Sequence, residues 1–183
     1  MSNYPTVEDT QLLQLARQGD AEAFGRLYEL YADRVFRFLF AHVDNRFDAE
    51  DLTEDVFLRV WRSLPKYREQ GVPFLAFLFR IARNALIDHY RRSNPVKGQV
   101  SIDDVTLPDH NPGPSESAVF SFEREELRLT LEQLREEYRT VLVLRFLSEL
   151  SPEETAQVMG RSPGAVRVLQ HRALAALRSM LDG

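Results

Sequence analysis

On one face of the stretch from Ser151 to Arg178 lie Gly164, Arg167, Val168, His171, Leu174 and Arg178, with Arg172 on the flank and Ser162 at the start of the helix that carries them. Cationic and hydrogen-bonding side chains on an outward helical face suit contacts to base edges and phosphates. A second group, Arg80, Arg83, Asn84, Ile87 and Arg91, falls on one side of a helical pattern that follows the basic loop PKYREQGVP, whose aromatic is Tyr67. Cations on phosphates beside an aromatic or an amide for an unstacked base are the combination that grips a single strand, the alternative being a solvated arginine face. In the third group, Leu58 is centred among Asp51, Glu54, Asp55, Arg59 and Arg62. An apolar residue inside a charged face is either a chance exposed leucine or the form of a protein-docking patch. All three are chemistries of recognition, and no catalytic residue is expected.

Catalytic alternatives are poorly furnished. The carboxylates Asp48, Glu50, Asp51, Glu54 and Asp55 could serve as hard-metal ligands, and Asp88 with His89 as half of a metal site, but no second histidine or carboxylate motif lies nearby at ligand spacing. With no cysteine, thiol catalysis, disulfides and cysteine-bound zinc are excluded. The expectation is a non-enzymatic protein with no cofactor and no metal.

The elements that position these groups are helices throughout. Ser151 with Glu154 has the form of a capping box, Pro152 suits a first helical position, Gly160 suits a C-terminal cap, and Ser162 with Pro163 repeats the start. The result is a helix-turn-helix over residues 152–178, with Val166, Leu169, Ala173 and Leu177 inward. Earlier in the chain, the pattern predicts a helix from about Val7 to Gln18. A second follows Asp20 and runs to about Val43, and a third starts at Asp48 after a turn at Asn45 to Phe47 and ends before Pro65. The third buries Leu52, Val56, Phe57, Val60, Trp61 and Leu64. The fourth runs from Phe74 to Arg92, with Phe74, Phe77, Leu78, Ile81, Ala82 and Ala85 inward. Asn94 to Pro114 has four prolines and two glycines, so it reads as a linker. Helices resume, one to about Leu134 and one from about Glu137 to Leu147, whose Val141, Leu142, Leu144 and Phe146 are expected to pack beneath the helix-turn-helix. The fold class is all-α: two helical domains, residues 1–93 and 115–183, joined by a flexible, acidic Pro/Gly-rich linker at 94–114.

Charge supports the division. The net charge is −5, but Met1 to Leu64 carries 7 basic and 12 acidic residues, Pro65 to Gly98 carries 7 and 2, Gln99 to Glu154 carries 5 and 13, and Thr155 to Gly183 carries 4 and 1. Two basic stretches inside an acidic protein suggest two separate nucleic-acid contacts. The most apolar run, Val35 to Val43, is interrupted by Arg37 and His42, so neither a signal peptide nor a membrane span is expected and the predicted location is cytoplasmic.

Laid out in order, these segments resemble the extracytoplasmic-function (group 4) sigma factors of the bacterial sigma-70 family, the promoter-recognition subunits of RNA polymerase. DAEAFGRLYELYADRVFRF at Asp20 resembles the group's first core segment, and DAEDLTEDVFLRVWRSL at Asp48 its polymerase-binding segment. FLAFLFRIARNALIDHYRR at Phe74 is similar to its segment for melting and reading the −10 element, and the C-terminal stretch from Leu127 to Arg178 to its −35-reading domain. The resemblance implies a four-helix region 2 domain and a four-helix region 4 domain. It also implies core-polymerase binding by Asp51, Glu54, Asp55, Leu58 and Arg62, with the clamp helices of the largest subunit and the flap as partners. The −10 contacts would be Tyr67, Arg80, Arg83, Asn84, Ile87 and Arg91, with Tyr67 and Asn84 holding a flipped base. The −35 contacts would be Ser162, Gly164, Arg167, Val168, His171, Arg172 and Arg178. An anti-sigma factor is a further candidate partner, and the acidic linker would lie along the path of nascent RNA. The sequence departs from the pattern at Glu54, often glutamine, at Phe77, often tryptophan, after Leu134, where a proline is common, and at Leu169 and Leu174, often arginines. The alternative class is a helix-turn-helix regulator that acts without being a polymerase subunit.

Overall fold

The computed structural model describes residues 7–68, 71–93 and 120–181, and among these every regular element is helical. The linker expected at 94–114 lies outside the described residues. In the N-terminal half, α1 (Val7–Arg17) packs on α2 (Ala21–Phe40), α2 on α3 (Arg46–Ser63), and α3 on α4 (Phe74–Ser93). A short 3₁₀ turn, Leu64–Lys66, follows α3.

The starts of these helices are local matters. The Asp20 side chain accepts from the Ala23 backbone N–H at 3.0 Å and caps α2. The cap of α3 is Asn45, whose Oδ1 accepts from Asp48 N–H at 2.9 Å, so Arg46 and Phe47 are already helical and the start expected at Asp48 is corrected by one turn. Both residues are good caps, and the one three positions upstream took the orphan N–H. Leu27, Val35, Phe38 and Leu39 of α2, Leu52, Val56 and Val60 of α3, and Leu78, Phe79 and Ala82 of α4 are buried and form the core. Each large aliphatic or aromatic side chain among them contributes about 1.5 to 3 kcal/mol.

The C-terminal half has α5 (Phe120–Glu132), α6 (Glu136–Leu142), α7 (Pro152–Met159) and α8 (Pro163–Leu181). From Val143 to Leu147 the chain continues α6 as a π turn, with Ser148 N–H donating to the Val143 carbonyl at 2.8 Å. The wider turn breaks the 3.6-residue register. Val141, Leu142 and Leu144 are buried as expected and Val143 joins them, but Phe146 is 52% exposed, and its expected place beneath the helix-turn-helix is corrected.

The two halves are in contact. Helix α7 packs on α4, and the π turn packs on α2. Helix α4, which packs on α2, α3 and α7, is buried over a broader arc than one amphipathic stripe: Leu75, Ala76, Phe79 and Leu86 join the expected Phe74, Leu78, Ala82 and Ala85.

Candidate nucleic-acid interface

The helix-turn-helix is built as its caps dictate. Ser151 Oγ accepts from Glu154 N–H at 3.1 Å, and Glu154 Oε2 accepts in return from Ser151 N–H at 2.7 Å, so the capping box closes. Gly160 ends α7 with φ +65°, a left-handed backbone that costs a residue with a Cβ about 1 kcal/mol or more. Ser162 Oγ accepts from Ala165 N–H at 3.2 Å at the start of α8. Val166, Leu169 and Ala173 are buried, which turns Gly164, Arg167, Val168, His171, Arg172, Leu174 and Arg178 outward. Of the two positions where arginine is common, only Leu174, 40% exposed, stands on the outer face. Leu169 belongs to the core. Arg167 Nη2 donates to Glu153 Oε1 at 2.9 Å, an exposed pair that contributes little to stability and is open to exchange for another anion.

On the N-terminal half, Arg62, Lys66, Tyr67, Arg68, Phe77 and Arg80 line a cleft of about 350 Å³. The Tyr67 ring does not project into solvent. It is 5% exposed, lies 4.6 Å from the Phe77 ring centre, and its hydroxyl donates to the Val72 carbonyl at 2.7 Å. What it offers the cleft is therefore part of a fixed wall. Asn84 and Arg91 are exposed, and Arg83 and Ile87 are half-buried. Arg80 Nε donates to the Gln157 backbone carbonyl of α7 at 3.0 Å.

The outer face of α3 presents Leu58 at 54% exposure, with Asp51, Glu54 and Arg62 exposed and Asp55 half-buried beside it. Arg59 does not join this surface freely. Its guanidinium bonds Asp88 of α4 at 2.7 Å and Asp55 at 2.8 Å, and those hydrogen bonds raise its already high pKa. Arg59 thus ties α3 to α4. His89 lies 3.8 Å from Asp48 at the edge of a cleft of about 270 Å³ that also includes Asp51 and Asp55.

Residues 27–95 match the family model for sigma-70 region 2, and residues 124–177 match that for sigma-70 region 4. The chain belongs to the sigma-70 family. Within it, the relatives are ECF RNA polymerase sigma factors. BldN of Streptomyces coelicolor is 36% identical over 174 residues, covering 93% of this chain and 65% of BldN, so the chain spans just under two thirds of that relative. ShbA of Streptomyces griseus is 36% identical over 179 residues, covering 93% of this chain and 94% of ShbA. Among solved structures, CnrH in complex with the cytosolic domain of CnrY aligns with a TM-score of 0.74 at 27% identity, covering 96% of this chain and 97% of that one. RpoE of Bartonella quintana, at 20% identity and a TM-score of 0.66, shares the fold. An ECF sigma factor is a polymerase-associated initiation factor, so the reading as an independent regulator gives way.

Sequence reasoning missed the residues that join the halves of this sigma factor. Arg34 Nε donates to the Ser148 carbonyl at 2.8 Å and its Nη2 to the Glu149 carbonyl at 3.2 Å, and Ser148 Oγ donates to the Arg34 carbonyl at 3.3 Å. Gln157 Nε2 donates to the Gly71 carbonyl at 3.0 Å. His42, 1% exposed, donates from Nδ1 to the Phe38 carbonyl at 2.7 Å, and its Nε2 lies 3.1 Å from Thr140 Oγ1 and 3.7 Å from Glu136 Oε1. Burial pushes its pKa down, partly countered by Glu136. The interruption of the Val35 to Val43 run by His42 was the one available signal.

Proposed function

We propose that this ECF sigma factor directs promoter-specific initiation through three separate surfaces. The Asp51, Glu54, Asp55, Leu58 and Arg62 face of α3 docks core polymerase at the clamp helices of the largest subunit. The α4 face of Arg80, Arg83, Asn84, Ile87 and Arg91, with the cleft at Tyr67, takes the unwound −10 strand. The α8 face of Gly164, Arg167, Val168, His171, Arg172 and Arg178, with Ser162 at its start, reads the −35 element. Residues 1–93 then act as the region 2 domain, 115–183 as the region 4 domain, which also meets the flap, and 94–114 as the acidic linker between them. The protein works in the cytoplasm, without catalysis of its own. No described helix is long and apolar enough to cross a membrane.

The observation that carries this reading is the pairing, in one chain, of a cation-lined cleft between the end of α3, the loop after it and the start of α4 with an outward α8 face that follows a helix α7 bounded by a complete capping box and a left-handed glycine. A cleft of that charge suits phosphates and a base held against an aromatic wall, and a second helix so oriented suits the major groove. CnrH was solved with the cytosolic domain of CnrY, which supports a polypeptide partner of the anti-sigma kind for this chain as well. The test is run-off transcription with purified core polymerase over a promoter library. Discrete initiation only when this protein is added supports the reading, and core polymerase that gains no promoter preference rejects it.

A further inference from the structure

Two exposed positions in the first half of α8 do nothing for the fold. Val168, the sixth residue of the helix, is 53% exposed, and valine is a poorer helix former than alanine because its branched side chain loses rotamer freedom against the preceding turn. Gly164, one turn earlier on the same face, is also exposed, and a Cβ there would meet no atom within 4 Å. Neither packing nor a left-handed backbone requires glycine at that position. Places where a sequence breaks a local preference without a structural return are where function is expected.

A single exposed valine is ordinary on a protein surface. This one is ringed by groups of another kind: Arg167 beside it, and His171 and Arg172 three and four positions on, are all exposed. In a helix-turn-helix the first residues of the second helix meet base edges in the major groove. Arg167 and His171 have hydrogen bonds to offer there, whereas Val168 has only two methyl groups. The apolar group that base pairs present in the major groove is the C5 methyl of thymine, and the features that tell the other bases apart are hydrogen-bond donors and acceptors. A β-branched side chain in a helix keeps essentially one χ1, so the methyls of Val168 are held in place for such a contact. Gly164 leaves the space one turn towards the N-terminus empty, and a base-pair edge can approach the helix there without meeting a side chain.

We propose that Val168 is a specificity-determining residue of this sigma factor, reading one thymine of the −35 element through its C5 methyl in the gap that Gly164 leaves open. The proposal rests on the reading of α8 given above. It adds that the element contains a thymine recognised by its methyl and not by its hydrogen-bonding edge. The recognised group is absent from uracil and present in 5-methylcytosine.

The test uses holoenzyme assembled from core polymerase and the full chain. Synthetic promoters carry the −35 element obtained by selection, with each of its thymines replaced in turn by uracil, which pairs as thymine does and lacks only the methyl. Competition binding should show wild type losing about threefold in affinity at one position, the amount that covering one methyl contributes. Val168→Ala should make thymine and uracil equal at that position and leave the response to uracil elsewhere as in wild type. Cytosine placed there should bind better when 5-methylated with wild type, and no better with the variant. Gly164→Ala should shrink the same thymine–uracil difference. Alanine is the better helix former at both positions, so neither variant should lower the thermal unfolding temperature. Wild-type holoenzyme that treats thymine and uracil alike throughout the −35 element overturns the proposal, as does a Val168→Ala or Gly164→Ala variant that keeps the wild-type difference in full. If scrambling the whole −35 element leaves binding unchanged, the reading of α8 itself fails and the proposal falls with it.

Discussion

Leu58→Asp separates docking from folding. Leu58 is 54% exposed in the free protein, so roughly half of its side chain remains to be covered by a partner. Full burial of a leucine is worth about 1.5 to 3 kcal/mol, which leaves about 1 kcal/mol for covering the exposed half. Aspartate forfeits that contribution and adds a carboxylate to a face that already carries Asp51, Glu54 and Asp55, one that docking must desolvate at a cost of about 1 to 3 kcal/mol. The total, about 2 to 4 kcal/mol, is a loss of about 30-fold to nearly 1,000-fold in affinity for core polymerase. Leu58→Ala, which loses only the apolar part, should cost about fivefold. Folding should suffer little, since aspartate within an exposed helical face costs about 0.7 kcal/mol. Fluorescence titration of labelled protein with core polymerase measures the affinities, and thermal unfolding monitors the fold. A folded Leu58→Asp variant that binds core within threefold of wild type would refute the assignment of this face.

The other predictions concern the nucleic-acid faces and the seam. Alanine at Arg80, Arg83 and Asn84 together should leave core binding intact while reducing permanganate reactivity of unpaired thymines in the holoenzyme complex. Unchanged reactivity returns that face to ordinary solvated arginines. Arg167→Ala should flatten preference at one or two −35 positions, by about 1 to 3 kcal/mol of discrimination if it reads a guanine. Arg178→Ala, about three turns later, should weaken all promoters alike and reduce the salt slope by about one unit. Identical sequence logos for wild type and Arg167→Ala, from selection on randomised −35 sites, count against base reading by Arg167. The buried His42 gives a pH dependence. Burial depresses its pKa below 6.5 in the folded protein, so the folded protein binds fewer protons than the unfolded chain. The stability involved is complete above about pH 6.5 and declines as pH falls below it, by up to about 1.4 kcal/mol per unit, because burial opposes the charge, Glu136 partly offsets that, and Arg139 and Arg83 add to the opposition. Unfolding at pH 7.5 and 5.5 should show a smaller acid loss in His42→Gln than in wild type, and equal losses would remove His42 from the account.

The helix-turn-helix was legible in the sequence because everything that shapes it is local. Ser151 and Glu154 satisfy each other across three residues, Gly160 supplies the one left-handed position, and Val166, Leu169 and Ala173 repeat at the helical period. The same holds for α3, whose apolar side and charged side follow directly from spacing, and for the two basic stretches, which need only counting. Local rules went astray where two of them competed or one was broken. Asn45 and Asp48 are both competent caps, and the π turn at Val143 to Leu147 carried Phe146 out of the register that predicted its burial. Tyr67 in its loop, read as open to a base, became a wall because Phe77 and the Val72 carbonyl met its ring and hydroxyl after folding.

The seam between the halves lay beyond such reading. Arg34 meets Ser148 across 114 positions, His42 meets Thr140 across 98, and Arg80 meets Gln157 across 77. In sequence, Arg34 and Arg80 are arginines on outward helical faces, and helical periodicity separates inward from outward without saying which outward face a distant helix will cover. Caps and stripes are decided by bonds that span three or four residues and by apolar surface leaving water. The packing of α7 on α4 is decided by the complementarity of two finished surfaces, which exist only once each half has folded.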